Sequence, residues 1–305
     1  MSDPTPGPIT ARQVKEMYER DVNILRFFRE DLGTERNTVG AIQLAYDLQS
    51  GSYIDRLRWD SEHGQRLEGY TEKMLAYLEP CAAESILEAG VGEATVLCPL
   101  VRKLAKRPVR VSAFDLSWSR VIYARRYAEQ VGGIQPRFFT GDLFQIPAID
   151  GAYDLVYTSH AIEPNHPRER EALRELYRVT RRWLVLFEPS YELGGEETRR
   201  NIETHGYCRD LPEIARELGY EVVQHDLLDF VHTPRNRTGV LVIRKPDSDG
   251  ASLEEELACP QCRQGLAAIR GQLYCRECCL IYPVIEGIPC LLAANGILGS
   301  KFPEL

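Results

Sequence analysis

No apolar run in the chain reaches the roughly 18 residues that a membrane-spanning helix needs. The Pro-rich start, Met1 to Arg12, has no apolar core segment, so no secretory signal is expected and a cytoplasmic location is. Basic excess is missing as well: 37 Lys and Arg stand against 45 Asp and Glu, a net charge of −8. Proteins that bind nucleic acid broadly carry a basic face, so this balance argues against a nucleic-acid partner. Lysine is scarce beside arginine, which codon usage in a GC-rich genome explains. Internal repeats and low-complexity tracts are absent. What remains is an ordinary soluble composition, 44% hydrophobic and 27% charged over 305 residues, enough for one α/β domain and a small module.

Cysteine is the residue in surplus. Of nine, Cys81, Cys98 and Cys208 are scattered and read as buried thiols. The other six crowd between Cys259 and Cys290. Cys259-x-x-Cys262 and Cys275-x-x-Cys278 form two knuckles with twelve residues between them. Four thiolates at that spacing suit a closed, tetrahedral structural zinc site. Cys279 is a competing ligand, but the knuckle register favours Cys278. Cys290 is expected to pack.

Along the chain, residues 1–80 read as a helical N-terminal extension, with helices over Val14–Phe28, Ala41–Asp47 and Gly64–Leu78. Residues 81–245 then alternate strand and helix. Strands are expected at Ser85–Ala89, Val109–Asp115, Arg137–Thr140, Tyr153–Ser159 and Trp183–Glu188. Helices are expected at Thr95–Ala105, Ser117–Val131, Arg168–Val179 and Leu211–Leu218, with Ser117 and Asp210 as caps and Gly219 as a stop. Alternation predicts a parallel sheet with helices on both faces. Two last strands, Val222–Leu228 and Gly239–Arg244, have no helix between them and predict an antiparallel edge. Residues 246–256 are polar and turn-rich, a linker, and 257–305 form the cysteine module.

Directly after the first strand comes Glu88-Ala89-Gly90-Val91-Gly92. Gly90 and Gly92 let the backbone approach a ligand, and the next helix turns its N-terminus to it. Asp115, ending the second strand, is placed to accept hydrogen bonds from a ribose diol. A dinucleotide fingerprint wants a third small residue where Thr95 stands. Glu88 also opposes a pyrophosphate and favours a cationic ligand by Coulomb sign.

Glu88-x-Gly90-x-Gly92, Asp115, Gly141-Asp142-Leu143 and Asp154-Leu155-Val156-Tyr157 resemble the ordered motifs of class I S-adenosylmethionine-dependent methyltransferases. The resemblance implies a Rossmann-like seven-stranded sheet. It implies Glu88, Gly90 and Gly92 at the methionine end of the cofactor, Asp115 at the ribose, and Asp142 with the Leu143 backbone at the adenine edge. Leu116 and Trp118 would pack on the adenine. Tyr46, Gln49, Ser50 and Tyr53 would belong to a lid. After the fourth strand, Ser159-His160-Ala161-Ile162-Glu163 is similar to the loop of small-molecule methyltransferases, with Ser159 beside the cofactor. His160 is there either a general base or a hydrogen-bonding residue of its loop. Glu188 and Tyr191, after the fifth strand, are candidate substrate contacts, and His205 and Tyr207 weaker ones. The cysteine module, with Tyr282-Pro283-Val284-Ile285-Glu286-Gly287-Ile288-Pro289, resembles the small zinc-ribbon activators of methyltransferases. It would brace the catalytic domain or mediate homodimerisation.

These readings favour methyl transfer to an oxygen or nitrogen of a small biosynthetic acceptor. The alternatives are an RNA or protein methyltransferase that docks its substrate on the ribbon, or a non-catalytic scaffold.

Overall fold

The computed structural model describes residues 9–34, 36–231, 233–246 and 256–305. Five helices open the chain: α1 (Ala11–Tyr18), α2 (Ile24–Asp31), α3 (Val39–Leu48), α4 (Ser52–Trp59) and α5 (Ser61–Leu78). The single helix expected over Val14–Phe28 is two, because Asp21 takes a left-handed φ of +60° and Asn23 caps a new start. Thr10, Thr38 and Asp60 likewise cap α1, α3 and α5 with their side-chain oxygens. The Ser50–Ser52 break is real, but α4 begins at once behind it.

There follow β1 (Ser85–Ala89), α6 (Leu97–Lys103), β2 (Arg110–Asp115), α7 (Trp118–Val131), β3 (Arg137–Thr140), β4 (Tyr153–Ser159), α8 (Glu169–Val179), β5 (Thr180–Pro189), α9 (Gly195–His205), α10 (Leu211–Glu217), β6 (Glu221–Leu227) and β7 (Thr238–Arg244). The sheet order is β3-β2-β1-β4-β5-β7-β6. The first five strands are parallel, and β7 runs antiparallel to both its neighbours. The expected antiparallel edge is therefore present. Ser117 caps α7 as expected, accepting from Arg120 N–H. Asp210 stands at the cap position of α10 but its side chain makes no cap bond, since its own φ is +59°. α9 had no clear apolar period and escaped the sequence reading.

Both faces of the sheet are buried, each in its own apolar core. All five residues of β1 are buried, so the turn that follows it is held from below by a rigid floor.

The ribbon carries β8 (Ala267–Ile269), β9 (Gln272–Cys275), β10 (Leu280–Tyr282), β11 (Val284–Ile285), β12 (Ile288–Pro289) and β13 (Ile297–Leu298). Its chain lies along β3, the edge strand: Leu291 N–H donates to Thr140 Oγ1 at 3.0 Å. Leu257, Leu266, Leu280 and Leu291 share one core with Phe139, Ile146 and Tyr153 of the larger domain. A fully buried leucine is worth roughly 2 kcal/mol, and this shared core divides that gain between the ribbon and the sheet. Of the expected linker only the ends are described, and 247–255 lie outside the described residues. Its last residue, Glu256, is buried rather than solvated. The carboxylate accepts from Ser112 Oγ at 3.0 Å and Tyr153 OH at 3.3 Å and pairs with Arg110.

Candidate active site

A cavity of about 880 Å³ opens at the carboxyl ends of β1, β2, β3 and β4, under the N-terminal helices. Its floor is the turn after β1. Gly90 has φ +77°, and a Cβ there would sit 2.4 Å from the Ala161 side chain. No other residue fits that approach. The amides of Gly90 and Val91 both donate to Phe114 O at 2.9 Å, which pins the turn to β2. Gly92 N–H donates to Asp115 Oδ2 at 2.9 Å and Ser117 N–H to Oδ1 at 3.0 Å. Two backbone amides thus fix the Asp115 carboxylate against the cavity wall, with lone pairs left for a ligand.

Glu88 lies beside this turn, 2% exposed. Tyr157 donates its hydroxyl to Glu88 Oε2 at 2.8 Å. Burial pushes the carboxyl up to about 8, against the Tyr157 bond, which lowers it. A cationic ligand at this spot would restore the charge. Asp142 and Leu143 line the far end. Asp142 holds its turn by accepting from Phe144 N–H at 2.9 Å. Leu116 lines the cavity; Trp118 does not and packs against one of the two apolar cores.

The roof comes from α3 and α4. Tyr46, Gln49 and Tyr53 all line the cavity, and Ser50 does not. What holds them is Arg120, which no local sequence pattern singles out. Its guanidinium lies 4.7 Å from the ring centres of both Tyr46 and Tyr53. It also donates to Tyr46 O at 2.9 Å and to Gln49 Oε1 at 3.1 Å. Asp47 adds a second tie, accepting from Ser117 Oγ at 2.6 Å. Glu93, next to Gly92, is wholly buried and accepts from two amides at the start of α4.

The wall after β4 carries Ser159, His160 and Glu163. Ser159 Oγ lies 3.0 Å from the Tyr70 hydroxyl. His160 has φ +57°, a strained value for a residue with a Cβ. Its Nδ1 bonds Glu163 Oε2, and its Nε2 lies 2.9 Å from Thr238 Oγ1. Burial lowers its proton affinity, but the carboxylates of Glu163 and Glu188 outweigh that and the net direction is up. Glu163 faces the cavity, and its other oxygen accepts from Asn236 Nδ2 at 3.1 Å. Tyr207 faces the cavity too, whereas its stacking partner His205 does not.

Glu188 and Tyr191 do not reach the cavity, contrary to expectation. Glu188 is buried behind the wall and accepts from the amides of Ala161, Ile162 and Glu163 at 3.0–3.1 Å. It organises the loop, and burial raises its carboxyl to about 7. Tyr191 points to the surface and donates to Glu203 at 2.8 Å.

In the ribbon, the sulfurs of Cys259, Cys262, Cys275 and Cys278 all lie within 4.8 Å of one another. Tetrahedral zinc at about 2.3 Å from each sulfur needs S–S separations near 3.8 Å, so the four fit the ion. Cys279 bends away with φ +54°, and Cys290 is buried as expected. No ribbon residue lines the cavity among the described residues.

Residues 86–182 match the family described as a methyltransferase domain, and residues 253–287 the family described as Trm112p-like protein. Over 202 residues the chain is 32% identical to malonyl-[acyl-carrier protein] O-methyltransferase of Pectobacterium atrosepticum, covering 64% of this chain and 72% of that protein. The crystal structure of magnesium protoporphyrin IX methyltransferase from Synechocystis PCC 6803 with bound S-adenosylhomocysteine is similar in fold, with TM-score 0.50 and 20% identity. That match covers 67% of this chain and 99% of the other. The S-adenosylmethionine-bound form of the same enzyme matches equally, with TM-score 0.50 and 18% identity over 70% and 100% of the two chains.

Proposed function

Because the chain belongs to the S-adenosylmethionine-dependent methyltransferases, we propose that it methylates an oxygen or nitrogen of a small-molecule acceptor. The observation that carries this is that one cavity joins the glycine turn and Asp115 to the wall after β4. It is roofed by the chain's own helices α3 and α4, and its 880 Å³ falls within the roughly 300–1,000 Å³ typical of small-molecule sites. A relative named for O-methylation supports oxygen as one acceptor atom.

The residues fit the cofactor. Glu88 suits its ammonium, the Gly90–Gly92 turn its methionine chain, Asp115 its ribose, and Asp142 with Leu143 its adenine edge. Leu116, Ser159, Tyr46, Gln49 and Tyr53 complete the surround. The cofactor supplies a methyl group already activated by its sulfonium. The chain's own work is then to align the acceptor, exclude water and take a proton where the acceptor has one to lose. Glu163 and Tyr207 border the space left for the acceptor. His160 is the group on this wall that takes a proton near neutral pH. Its two ring nitrogens are held by Glu163 and Thr238, so receiving a proton from an acceptor would require the ring to give up one of these bonds and turn to the cavity. Glu188 and Tyr191 act at a distance from these atoms, as loop organiser and surface residue.

Zinc on Cys259, Cys262, Cys275 and Cys278 is structural in this reading, since the four ligands leave no open position. The ribbon braces the sheet edge. An RNA substrate finds no support in an acidic chain whose cavity has Arg120 as its one lysine or arginine among the described lining residues.

Titration with S-adenosylhomocysteine, comparing the natural protein with Asp115→Ala, tests the cofactor site. Binding in the natural protein and a loss of at least tenfold in the variant is expected. No binding, or equal binding in both, refutes the assignment.

A further inference from the structure

We propose that Glu93 is a positioning residue that couples the glycine turn to the cavity roof, making cofactor binding and closure of the α3–α4 corner one event. The inference rests on the cofactor reading above.

Helix α4 starts without a cap of its own. Its N-cap is Gly51, with φ +97° and no side chain to offer. The first-turn amides of such a helix need acceptors. Glu93 supplies them from 42 residues away: Oε1 accepts from Gly51 N–H at 3.0 Å and Oε2 from Ile54 N–H at 2.9 Å. The carboxylate is 0% exposed. Its negative charge also suits the positive end of the helix. Neither side of this contact has a comfortable life without the other. A buried carboxylate stripped of both donors would have to be rehydrated, and α4 would lose its cap.

Position makes the contact functional. Glu93 is bonded directly to Gly92, whose amide holds Asp115. A ligand seated on Gly92 and Asp115 therefore fixes the backbone from which Glu93 reaches the roof. The corner that Glu93 grips carries Tyr46, Gln49 and Tyr53, all lining the same cavity. Arg120, which a Cβ at Gly92 would approach to 3.1 Å, grips the same corner from the other side. Turn and roof are thus joined on two sides of one ligand space. Ordering one reduces what must be spent in ordering the other, the thermodynamic definition of positive coupling.

Backbone hydrogen exchange of the full chain, with and without saturating S-adenosylhomocysteine, tests this. In the natural protein the ligand should slow exchange at Gly51 and Ile54. In Glu93→Gln the affinity should fall on the order of tenfold. At ligand saturation the variant should lose the extra protection at Gly51 and Ile54 while the amides of β4 keep theirs. That last comparison separates a positioning role from general loss of structure. Exchange at Gly51 and Ile54 that ignores the ligand in the natural protein, or unchanged affinity in Glu93→Gln, overturns the proposal alone. A natural protein that binds no S-adenosylhomocysteine overturns the cofactor reading and this inference with it.

Discussion

Removing the charge at Glu88 should stabilise the protein while ruining its cofactor site. The carboxyl is almost fully buried, and burial lifts it from an ordinary 4.5 to about 8. At pH 7 the unfolded chain carries it ionised and the folded chain protonated. Holding that proton costs about 3 kcal/mol. The sign follows from proton counts. Between 4.5 and 8 the folded state binds more protons than the unfolded state, so this residue's contribution to stability falls as pH rises, by about 1.4 kcal/mol per unit, and levels off above 8. Glu88→Gln keeps the shape and an oxygen for the Tyr157 hydroxyl but has nothing to titrate. Denaturant unfolding of the ligand-free protein should show the variant gaining on the natural protein from pH 5 to pH 8, with a gain of about 2–3 kcal/mol at pH 7. The same variant should bind S-adenosylhomocysteine more weakly, because the charge that suits an ammonium is gone. For the natural protein, binding should release a proton near neutral pH. The ligand's own amine also titrates on the alkaline side, so the difference between the two proteins is the readout. A variant no more stable than the natural protein at pH 8, or a stability difference that does not change with pH, would refute the reasoning.

Three further outcomes follow from other parts of the molecule. Metal analysis should find one zinc per chain, and a chelator or Cys278→Ser should lower the melting temperature of the whole chain because the ribbon shares its core with the sheet; an unaltered melting curve after complete zinc removal contradicts this. Glu256→Gln should destabilise by about 2–3 kcal/mol, less than a wholly buried pair would lose, since Arg110 keeps partial access to water; urea unfolding reads it, and a loss under 0.5 kcal/mol would count against it. Glu163→Gln should move the His160 titration, followed by imidazole NMR, to lower pH, because Glu163 is the larger of the two carboxylate contributions that together outweigh burial; an unmoved midpoint would assign the effect elsewhere.

The parts legible in the sequence are those where a residue type is forced by local geometry. Gly90 must be glycine because Ala161 leaves no room, and four cysteines at knuckle spacing have few other uses. Strands β1 to β5 announced themselves through apolar runs buried on both faces. The residues that escaped notice act across long sequence distances. Glu93 meets Gly51 and Ile54, Arg120 meets Tyr46 and Gln49, and Glu256 meets Ser112 and Tyr153. Nothing in a local pattern marks a carboxylate as someone else's helix cap. Glu256 was hidden further by its setting, since an acidic run beside turn residues reads as a solvated linker. Glu188 and Tyr191 stand at the carboxyl end of β5, where sheet topology alone points to a ligand, while the loop after β4 folds over Glu188 and occupies its oxygens.

The strip of chain from Pro289 to Leu291 that lies along β3 changes what kind of object the sheet is. An open parallel sheet normally ends in a row of unpaired amides and carbonyls, available to any passing strand. Here the cover arrives on the same polypeptide, so it is always present in a ratio of one to one. Dilution does not remove it, and a free copy of the ribbon competes against an effective concentration that short tethers set near the millimolar range. The cover for that stretch of β3 is thus made together with the strand it lies on.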